Sequence, residues 1–297
     1  MKSFHFHVGS GRCGSTLIQA LFNEPAMHQI FGQFSIQYSP TASMELGPRT
    51  PVERFDETEW QTFREAEIAP LKQSPADNIF VTQENVFGVT WEKGAENSCA
   101  ANCKLITYLT EGFETKIVML VRRQDTFIES LYNQLLKRQE TRAFSDFLDD
   151  VPLANLDWAA VADTYAEQFG KENVTVLPFE KPVLATAGID TFFEAVLRTI
   201  GLDQKINFEN IPTVNPSLAP RAREIQRLAN KLLSKEEAHA LADWFEANVQ
   251  KSPDEDHVLM AADDRARVLN FFRESNRRLC VDYMGEYETN YYLGEAS

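Results

Sequence analysis

Apolar positions follow two patterns that alternate through the first two thirds of the chain. Short continuous apolar runs, typical of strands buried in a parallel sheet, predict strands at Ser3–Val8, Asn78–Val81, Lys116–Val121 and Val174–Leu177. Apolar residues at helical spacing predict helices over Ser15–Phe22, Glu57–Leu71, Asn97–Thr110, Asp125–Lys137, Trp158–Phe169 and Ile189–Ile200. Because strands alternate with helices, we expect an α/β three-layer sandwich with a central parallel sheet.

The remaining segments carry weaker patterns. Residues 24 to 60 are mixed and rich in Pro, Ser and Gln, and we interpret them as loops with short elements. From about Arg221 to Tyr283 the chain is largely helical by pattern. We expect residues 1–297 to form a single domain, with a binding insertion at about 24–75 and a helical C-terminal part at about 219–283 packed on the same core.

Composition and charge narrow the classes of function. The chain has 297 residues, of which 43% are hydrophobic and 11% aromatic, and this is enough for a large core. Its formal net charge of -15 disfavours binding to nucleic acid and to anionic membranes. A phosphate-bearing ligand would therefore need a local cationic pocket, so Arg and Lys beside glycine-rich turns are the informative cations.

The N-terminal segment and the cysteines exclude further classes. The apolar run in Met1–Ser10 is too short and interrupted for a signal peptide or a membrane span, so we expect a cytoplasmic protein without stable membrane insertion. The cysteines Cys13, Cys99, Cys103 and Cys280 are too few and scattered for a disulfide framework. Cys99 and Cys103 share a predicted helix face, where packing explains them better than a metal site.

The strongest local signal is the glycine-rich segment Gly9–Thr16, which follows a predicted strand and opens a predicted helix. Glycines let backbone N–H groups approach an anion, and a helix N-terminus adds unpaired donors and a positive dipole end. Ser15 and Thr16 add hydroxyl donors. A phosphate-binding loop is therefore a better interpretation than a generic turn.

This loop departs from that of a nucleotide triphosphatase. Four residues separate Gly9 from Gly14, as in a P-loop, but Ser15 stands where the phosphate-binding Lys is expected. The cation lies inside the loop, at Arg12, where it would reach the bridging oxygen of a shorter 5′-linked anhydride. No Asp that would hold Mg²⁺ is evident at the end of a neighbouring strand, so the pattern disfavours metal-dependent phosphoryl transfer.

A second anion-binding signal follows the strand Lys116–Val121. That strand delivers Arg122 to the carboxyl edge of the predicted sheet, where ligands bind in open α/β folds. Ser130 lies two turns into the next helix and can face the same edge. Arg and Ser together suit one terminal phosphate, because Arg can donate to two oxygens and Ser to a third.

With these two segments the chain resembles the PAPS-dependent sulfotransferases, in particular bacterial members, where PAPS is 3′-phosphoadenosine 5′-phosphosulfate. The resemblance rests on Gly11–Thr16, which is similar to the family's 5′-phosphosulfate motif, and on Arg122 with Ser130, which are similar to its 3′-phosphate motif. The whole stretch Val121–Gln134 is similar to bacterial members, and matches that are weaker individually follow in family order at Leu177–Glu180, Val214–Leu218 and Ser275–Leu279.

The resemblance implies a P-loop NTPase-like sulfotransferase fold, PAPS as donor, the bisphosphate PAP as product, and no metal. It implies that the 5′ end of the donor is held by Gly11, Arg12, Cys13, Gly14, Ser15 and Thr16. Arg12 would also stabilise charge on the bridging oxygen, and Arg122 and Ser130 would hold the 3′-phosphate. Many relatives have Ser or Thr at the position of Cys13, so here the backbone N–H would make that contact.

Two assignments stay open. Arg123 either touches the 3′-phosphate or pairs with Asp125 or Glu129. The glycine-rich donor-binding segment of eukaryotic cytosolic members is not recognisable, so another group, such as the Ser217 loop or Arg277, would cover the adenosine.

The general base is less clearly marked. Some relatives place a Glu after a Gly shortly beyond the first helix, but this chain has Gln33 there, which cannot accept a proton. Glu84 is the first candidate because it follows the strand ending at Val81, although a structural role as a cap or ion pair explains it nearly as well. His28, in the segment after the first helix, is the second candidate.

The sequence therefore favours a sulfotransferase that acts on a hydroxyl of a carbohydrate, lipid or small metabolite, with residues 24–75 shaping the choice of acceptor. One alternative is a P-loop-type small-molecule kinase or nucleotide hydrolase, which the replacement of Lys by Ser15 disfavours. The other is a catalytically inactive relative that only binds the nucleotide.

Overall fold

A computed structural model of the protein describes residues 2–9, 11–40, 57–83, 87–180, 188–206, 217–249, 259–285 and 290–293. Its centre is a five-stranded sheet in which neighbouring strands are parallel. The strands are β1 (Ser3–Gly9), β2 (Ile36–Pro40), β3 (Asn78–Thr82), β4 (Glu114–Val121) and β5 (Val174–Pro178). Their order is β2-β3-β1-β4-β5, which places β1 in the middle.

Thirteen α-helices lie in the described ranges, and a π-helical turn, Arg64–Ile68, joins the third to the fourth. The helices are α1 (Ser15–Phe22), α2 (Pro25–Gln33), α3 (Glu57–Phe63), α4 (Ala69–Lys72), α5 (Cys99–Leu109), α6 (Gln124–Leu136), α7 (Phe144–Asp150), α8 (Trp158–Phe169), α9 (Ile189–Thr199), α10 (Pro220–Ala229), α11 (Lys235–Asn248), α12 (Ala262–Tyr283) and α13 (Asn290–Leu293). None of those helices combines the length and apolar character needed to cross a membrane.

The predicted fold class is confirmed: helices flank a central parallel sheet. Each predicted strand and each predicted helix of the first two thirds is present, with ends shifted by two residues or fewer. The pattern did not predict β2, α2 or α7. β2 and α2 lie in the segment interpreted as loops with short elements, and β2 is a five-residue strand at one edge of the sheet.

Buried apolar side chains explain the position of β1. All seven residues of the strand are buried, and Phe4, Phe6 and Val8 have no exposed surface. The polar residues His5 and His7, which alternate with these apolar residues along the strand, are buried as well. A strand buried on both faces belongs in the middle of a parallel sheet, which is where the topology has it.

Local signals in the sequence explain several helix ends. Asp157 accepts a hydrogen bond from the backbone N–H of Ala160 at 3.1 Å and so caps the N-terminus of α8. Ser234 and Glu237 form a reciprocal capping box at the start of α11. Pro220 occupies the first turn of α10, where its missing N–H is not needed.

Trp158 fixes the start of α8 beneath the carboxyl end of β4. Its side chain is fully buried, and its ring meets those of Phe87 and Phe127 edge to face, at centroid distances of 5.6 and 5.3 Å. Its indole nitrogen donates a hydrogen bond to the carbonyl of Arg122 at 2.7 Å. The residue that follows β4 is thereby held in place through its backbone, which leaves its side chain available to other contacts.

The C-terminal helix α12 packs against α6 and α8. The side-chain amides of Gln124, at the start of α6, and Asn276, on α12, exchange two hydrogen bonds of 3.0 Å. The same amides donate to the carbonyls of Leu156 and Tyr292, both at 3.3 Å. Because both side chains are almost completely buried, their hydrogen bonds hold the first turn of α6 in position.

We predict that Asn276→Ala destabilises the protein, because it leaves the carbonyl oxygen of the buried Gln124 amide without its donor. An unsatisfied buried polar group costs about 1–3 kcal/mol, and the free energy of unfolding should fall by this amount in urea denaturation. Asn270→Ala, an exposed change on the same helix, is the matched control and should shift it by less than about 0.5 kcal/mol. Equal effects of the two changes would contradict the structural role of the amide pair.

Candidate active site

The carboxyl ends of three adjacent strands meet at one edge of the sheet. Gly9, the last residue of β1, lies opposite Leu120 of β4, and Val121 of β4 lies opposite Pro178 of β5. The loop after β1, the helix α6 after β4 and the two residues after β5 therefore start at the same edge. In open parallel sheets this is where ligands bind.

The loop after β1 approaches β5 so closely that only glycine fits at one position. Gly14 caps the N-terminus of α1 with a backbone φ of 90°, and its carbonyl accepts hydrogen bonds of 3.0 Å from the N–H groups of Leu17 and Ile18. A β-carbon on Gly14 would lie 2.7 Å from the ring of Phe179. A β-carbon on Gly9 would likewise lie 2.8 Å from the hydroxyl of Ser15. Gly14 is thus required both by space and by its φ, while a side chain at Gly9 would displace the hydroxyl of Ser15.

Arg12 also has a left-handed backbone, with a φ of 84°. An L-residue other than glycine pays a steric penalty in this region, and such residues concentrate at functional sites where the surroundings hold them. The Arg12 side chain supplies one such restraint, because its Nε donates a hydrogen bond to the hydroxyl of Ser130 at 3.0 Å.

The side chains around the start of α1 differ in their access to a ligand. Cys13 is fully buried in the core, so only its backbone can face an anion. Thr16 is exposed, and Gly11 is partly exposed. Ser15 is 2% exposed, and within the described part of the chain its hydroxyl has no hydrogen-bond partner. The first N–H groups of α1 have no acceptor within the helix, as in every helix, so the turn presents several donors together.

Two arginines contact the same face of α6. Arg12 donates to Ser130, and Arg122 donates from Nε to the hydroxyl of Thr126 at 3.2 Å. Thr126 and Ser130 are four residues apart on one helix, so they are neighbours on its surface, with about 6 Å between their β-carbons. The structure therefore places Arg12 against Ser130 and Arg122 against Thr126, one turn apart on α6, and we call the surface that these four residues form the cleft. Their roles in binding stay predictions.

Arg123 turns away from this cleft. Its guanidinium forms a two-pronged ion pair with Asp125, at 2.7 and 2.9 Å, and donates to the carbonyl of Tyr291 at 2.6 Å. Although burial raises the pKa of Asp125, the hydrogen bonds and charge of Arg123 hold it below its usual value. The sequence left open whether Arg123 pairs with Asp125 or with Glu129. In the structure Arg123 pairs with Asp125, and Glu129 pairs with Arg265 at 2.8 Å.

Glu180 lies behind the cleft, and the sequence analysis assigned it no role. Its side chain has no exposed surface, its carboxyl group accepts a hydrogen bond from the backbone N–H of Arg123, and one carboxyl oxygen lies 3.3 Å from the hydroxyl of Thr126. Burial raises its pKa to about 7, against the opposing effect of the nearby Arg122 charge. An acidic residue two positions after a buried strand was the signal that could have singled it out.

Of the two base candidates, the structure describes only His28. Glu84 lies outside the described residues. His28 is exposed on α2, and it lines a cavity of about 270 Å³ together with Ser35 and Ala76, which lie next to the amino ends of β2 and β3. That is the sheet edge opposite to the loop, so the structure does not bring His28 to Arg12. Nor does His7 replace it, because complete burial lowers its pKa to about 3 and keeps the ring uncharged.

The cysteines fit their predicted packing role. All four are buried and free, and burial raises the pKa of the Cys99 and Cys103 thiols to about 12. Over the ranges that the structure describes, no three His, Cys, Asp or Glu side chains are grouped so that they could hold one metal ion.

Comparison with known proteins supports the fold and leaves the activity open. No protein-family model matches the chain. An uncharacterized protein of Archaeoglobus fulgidus is 23% identical over 173 residues, which are 58% of this chain but only 46% of that protein; the chain thus spans about half the length of this relative. The crystal structure of a sulfotransferase from Alicyclobacillus acidocaldarius is similar over 95% of both chains, with a TM-score of 0.50 and 16% identity. A likeness at this identity shows a common fold.

Proposed function

We propose that the protein is a sulfotransferase that moves the sulfuryl group of PAPS to the hydroxyl of an acceptor. The observation that carries the proposal is the position of Arg12, whose guanidinium contacts Ser130 on the face of α6 that Arg122 also contacts. The guanidinium groups of Arg12 and Arg122 on one cleft suit a nucleotide with a charged group on each side of its ribose. The shared fold with a solved sulfotransferase agrees with this assignment.

The loop fits the 5′ end of such a donor. Gly14 has a φ of 90° and lies directly against the ring of Phe179, so the backbone of this turn takes a course into α1 that a side chain at this position would prevent. Ser15 has a buried hydroxyl that, within the described chain, lacks a partner, and a phosphate oxygen would supply one. Arg12 adds the positive charge that the helix N-terminus alone does not provide.

Arg122 and Ser130 fit the 3′-phosphate of the donor. Only Nε of Arg122 is used by a neighbouring described residue, Thr126, and the outer edge of a guanidinium can donate to two phosphate oxygens at once. The Ser130 hydroxyl accepts from Arg12, so its own proton remains for donation to the same phosphate. The contact between Ser130 and Arg12 would thereby link the two ends of the nucleotide.

In the reaction, the bond from sulfur to the bridging oxygen breaks while a bond from sulfur to the acceptor oxygen forms. Arg12 would stabilise the negative charge that develops on the bridging oxygen. A base must take the proton of the acceptor hydroxyl, and Glu84 stays our candidate for it. We propose that no metal takes part, because Arg12 supplies the cation at the breaking bond. The acceptor is then a hydroxyl of a carbohydrate, lipid or small metabolite.

Ligand-induced stabilisation distinguishes this function from that of a kinase. Adenosine 3′,5′-bisphosphate without magnesium should raise the melting temperature of the protein, because a ligand at 100 times its Kd stabilises the folded state by about 2.7 kcal/mol. ATP with magnesium should have little effect, because Ser15 replaces the Lys that binds its outer phosphates. Thermal denaturation with each ligand checks this, and the opposite ranking would favour a nucleotide kinase or hydrolase.

Arg12→Gly should separate stability from binding. Glycine relieves the strained φ of 84° while removing the guanidinium, so we expect the free energy of unfolding to change by less than about 1 kcal/mol. Affinity for the bisphosphate should fall at least tenfold, since a charged hydrogen bond contributes about 1.5–3 kcal/mol. Calorimetric titration measures the affinity and urea denaturation the stability.

Gln139→Gly is the matched control for that variant. Gln139 also has a positive φ, of 74°, and its side chain also makes one hydrogen bond, to the carbonyl of Leu233, but it does not contact the cleft residues. This variant should bind the bisphosphate as the wild type does. Unchanged affinity in Arg12→Gly would remove the loop cation from the proposed site.

A further inference from the structure

The proposed function leaves one buried acidic group behind the cleft without a task. Glu180 lies behind the corner formed by Arg122 and Thr126, with no exposed surface. Its Oε1 accepts a hydrogen bond from the backbone N–H of Arg123, and its Oε2 lies 3.3 Å from the hydroxyl of Thr126. That hydroxyl also contacts Nε of Arg122, so a single oxygen atom joins Glu180 to the side chain that would bind the 3′-phosphate.

The hydrogen bonds around Thr126 can accommodate Glu180 with or without a proton. The hydroxyl has one hydrogen, and it lies 2.9 Å from the carbonyl of Arg123 and 3.3 Å from Oε2 of Glu180. If Glu180 is a carboxylate, the hydroxyl can donate to it, because the carbonyl of Arg123 also accepts from the N–H of Phe127 at 2.8 Å. If Oε2 carries a proton, it donates to Thr126, which donates to the carbonyl and accepts from Arg122, so every group is satisfied.

Burial and the surrounding charges set the balance between the two states of Glu180. Arg122 is the largest electrostatic contribution that favours the carboxylate, and Arg123 contributes in the same direction. Asp125 opposes both, although its own charge is paired with Arg123 and with Arg265 of α12. From α13, Tyr291 and Tyr292 face the same group, and burial raises the pKa of each so that both rings stay neutral. Arg122 is therefore the charge whose neutralisation by a ligand would change the state of Glu180 most.

We propose that Glu180 is a positioning residue that takes up a proton from solvent when an oxyanion binds Arg122, so that nucleotide affinity increases as the pH falls through neutrality. A phosphate at Arg122 offsets the charge that favours the carboxylate and adds negative charge nearby, and both effects favour protonation. The inference rests on the proposed function, because it takes Arg122 as the group that binds the 3′-phosphate.

The direction of the effect follows from linkage. Burial already raises the pKa of Glu180 to about 7 in the free protein, and anion binding raises it further. If binding of a ligand increases the proton affinity of Glu180, protonation of Glu180 increases the affinity for the ligand by the same factor. A rise of one pKa unit would therefore make the nucleotide bind up to about tenfold more tightly below pH 7 than above pH 8.

Proton uptake on binding measures this coupling directly. We would titrate the full chain with adenosine 3′,5′-bisphosphate at pH 7.5 by calorimetry, in two buffers of different ionisation enthalpy. The wild type should take up about half a proton more than Glu180→Gln, as a rise of one pKa unit centred on that pH requires. In the variant, an amide N–H can donate to Thr126 in place of the carboxyl proton, so the variant imitates the protonated state.

The variant also separates a proton switch from an ordinary ion pair. The bisphosphate's own phosphates titrate near pH 6, but they do so equally with both proteins, so the difference between the proteins reports on Glu180. Glu180→Gln should bind the bisphosphate as tightly at pH 8.5 as the wild type does at pH 6.5, after correction for the ligand. Glu167→Gln, an exposed change on α8, is the control and should keep the wild-type proton uptake.

Three outcomes would overturn the inference. Equal proton uptake in the wild type and Glu180→Gln, with the bisphosphate bound in both, removes Glu180 and leaves the proposed function intact. Weaker binding by Glu180→Gln at every pH means that the carboxylate itself holds Arg122 in place. Failure of the wild type to bind the bisphosphate contradicts the proposed function and the inference together. If the variant does not fold, the wild type decides at pH 8, where the ligand is fully ionised: proton uptake supports the proposal and its absence contradicts it.

Discussion

The hydrogen bond from Arg12 to Ser130 joins two segments 118 residues apart in sequence, and the proposed site depends on it. It connects a strained loop after β1 to a regular helix after β4, across the edge where both strands end. A non-glycine residue with a positive φ persists only where its surroundings hold it. The contact with α6 is one such restraint, and it aims the loop cation at the cleft that Arg122 borders.

The helix α6 can serve as a fixed support because its first turns are held from several sides. Its Gln124 amide is paired with Asn276, and its Asp125 carboxylate is paired with Arg123 and with Arg265 of α12. Removing one partner from such buried pairs leaves a charge or polar group uncompensated, which is far more costly than the net gain from forming the pair. Helix α12 thereby supports the site indirectly, because its side chains hold α6 in position.

The sequence predicted the features that are local and left out those that depend on tertiary contacts. The loop from Gly9 to Thr16 was recognisable because strand, glycines and helix follow one another within it. The strand β2 was not, because Ile36–Pro40 is short, lies in a segment of mixed composition and ends in a proline. Whether Arg123 pairs with Asp125 or Glu129 could not be read from spacing, since α12 decides it by supplying Arg265 to Glu129. The burial of Glu180 likewise depends on elements far along the chain, including α13.

The central claim is that Arg12 binds the 5′ end of one nucleotide and Arg122 binds its 3′-phosphate. The most direct test compares the affinities of wild type and Arg122→Ala for adenosine 3′,5′-bisphosphate, 3′-monophosphate and 5′-monophosphate, with Arg273→Ala as an exposed arginine control. The account predicts that Arg122→Ala loses about tenfold or more for the two nucleotides that carry a 3′-phosphate and binds the 5′-monophosphate unchanged. Equal losses for all three nucleotides, or none for any, would contradict it.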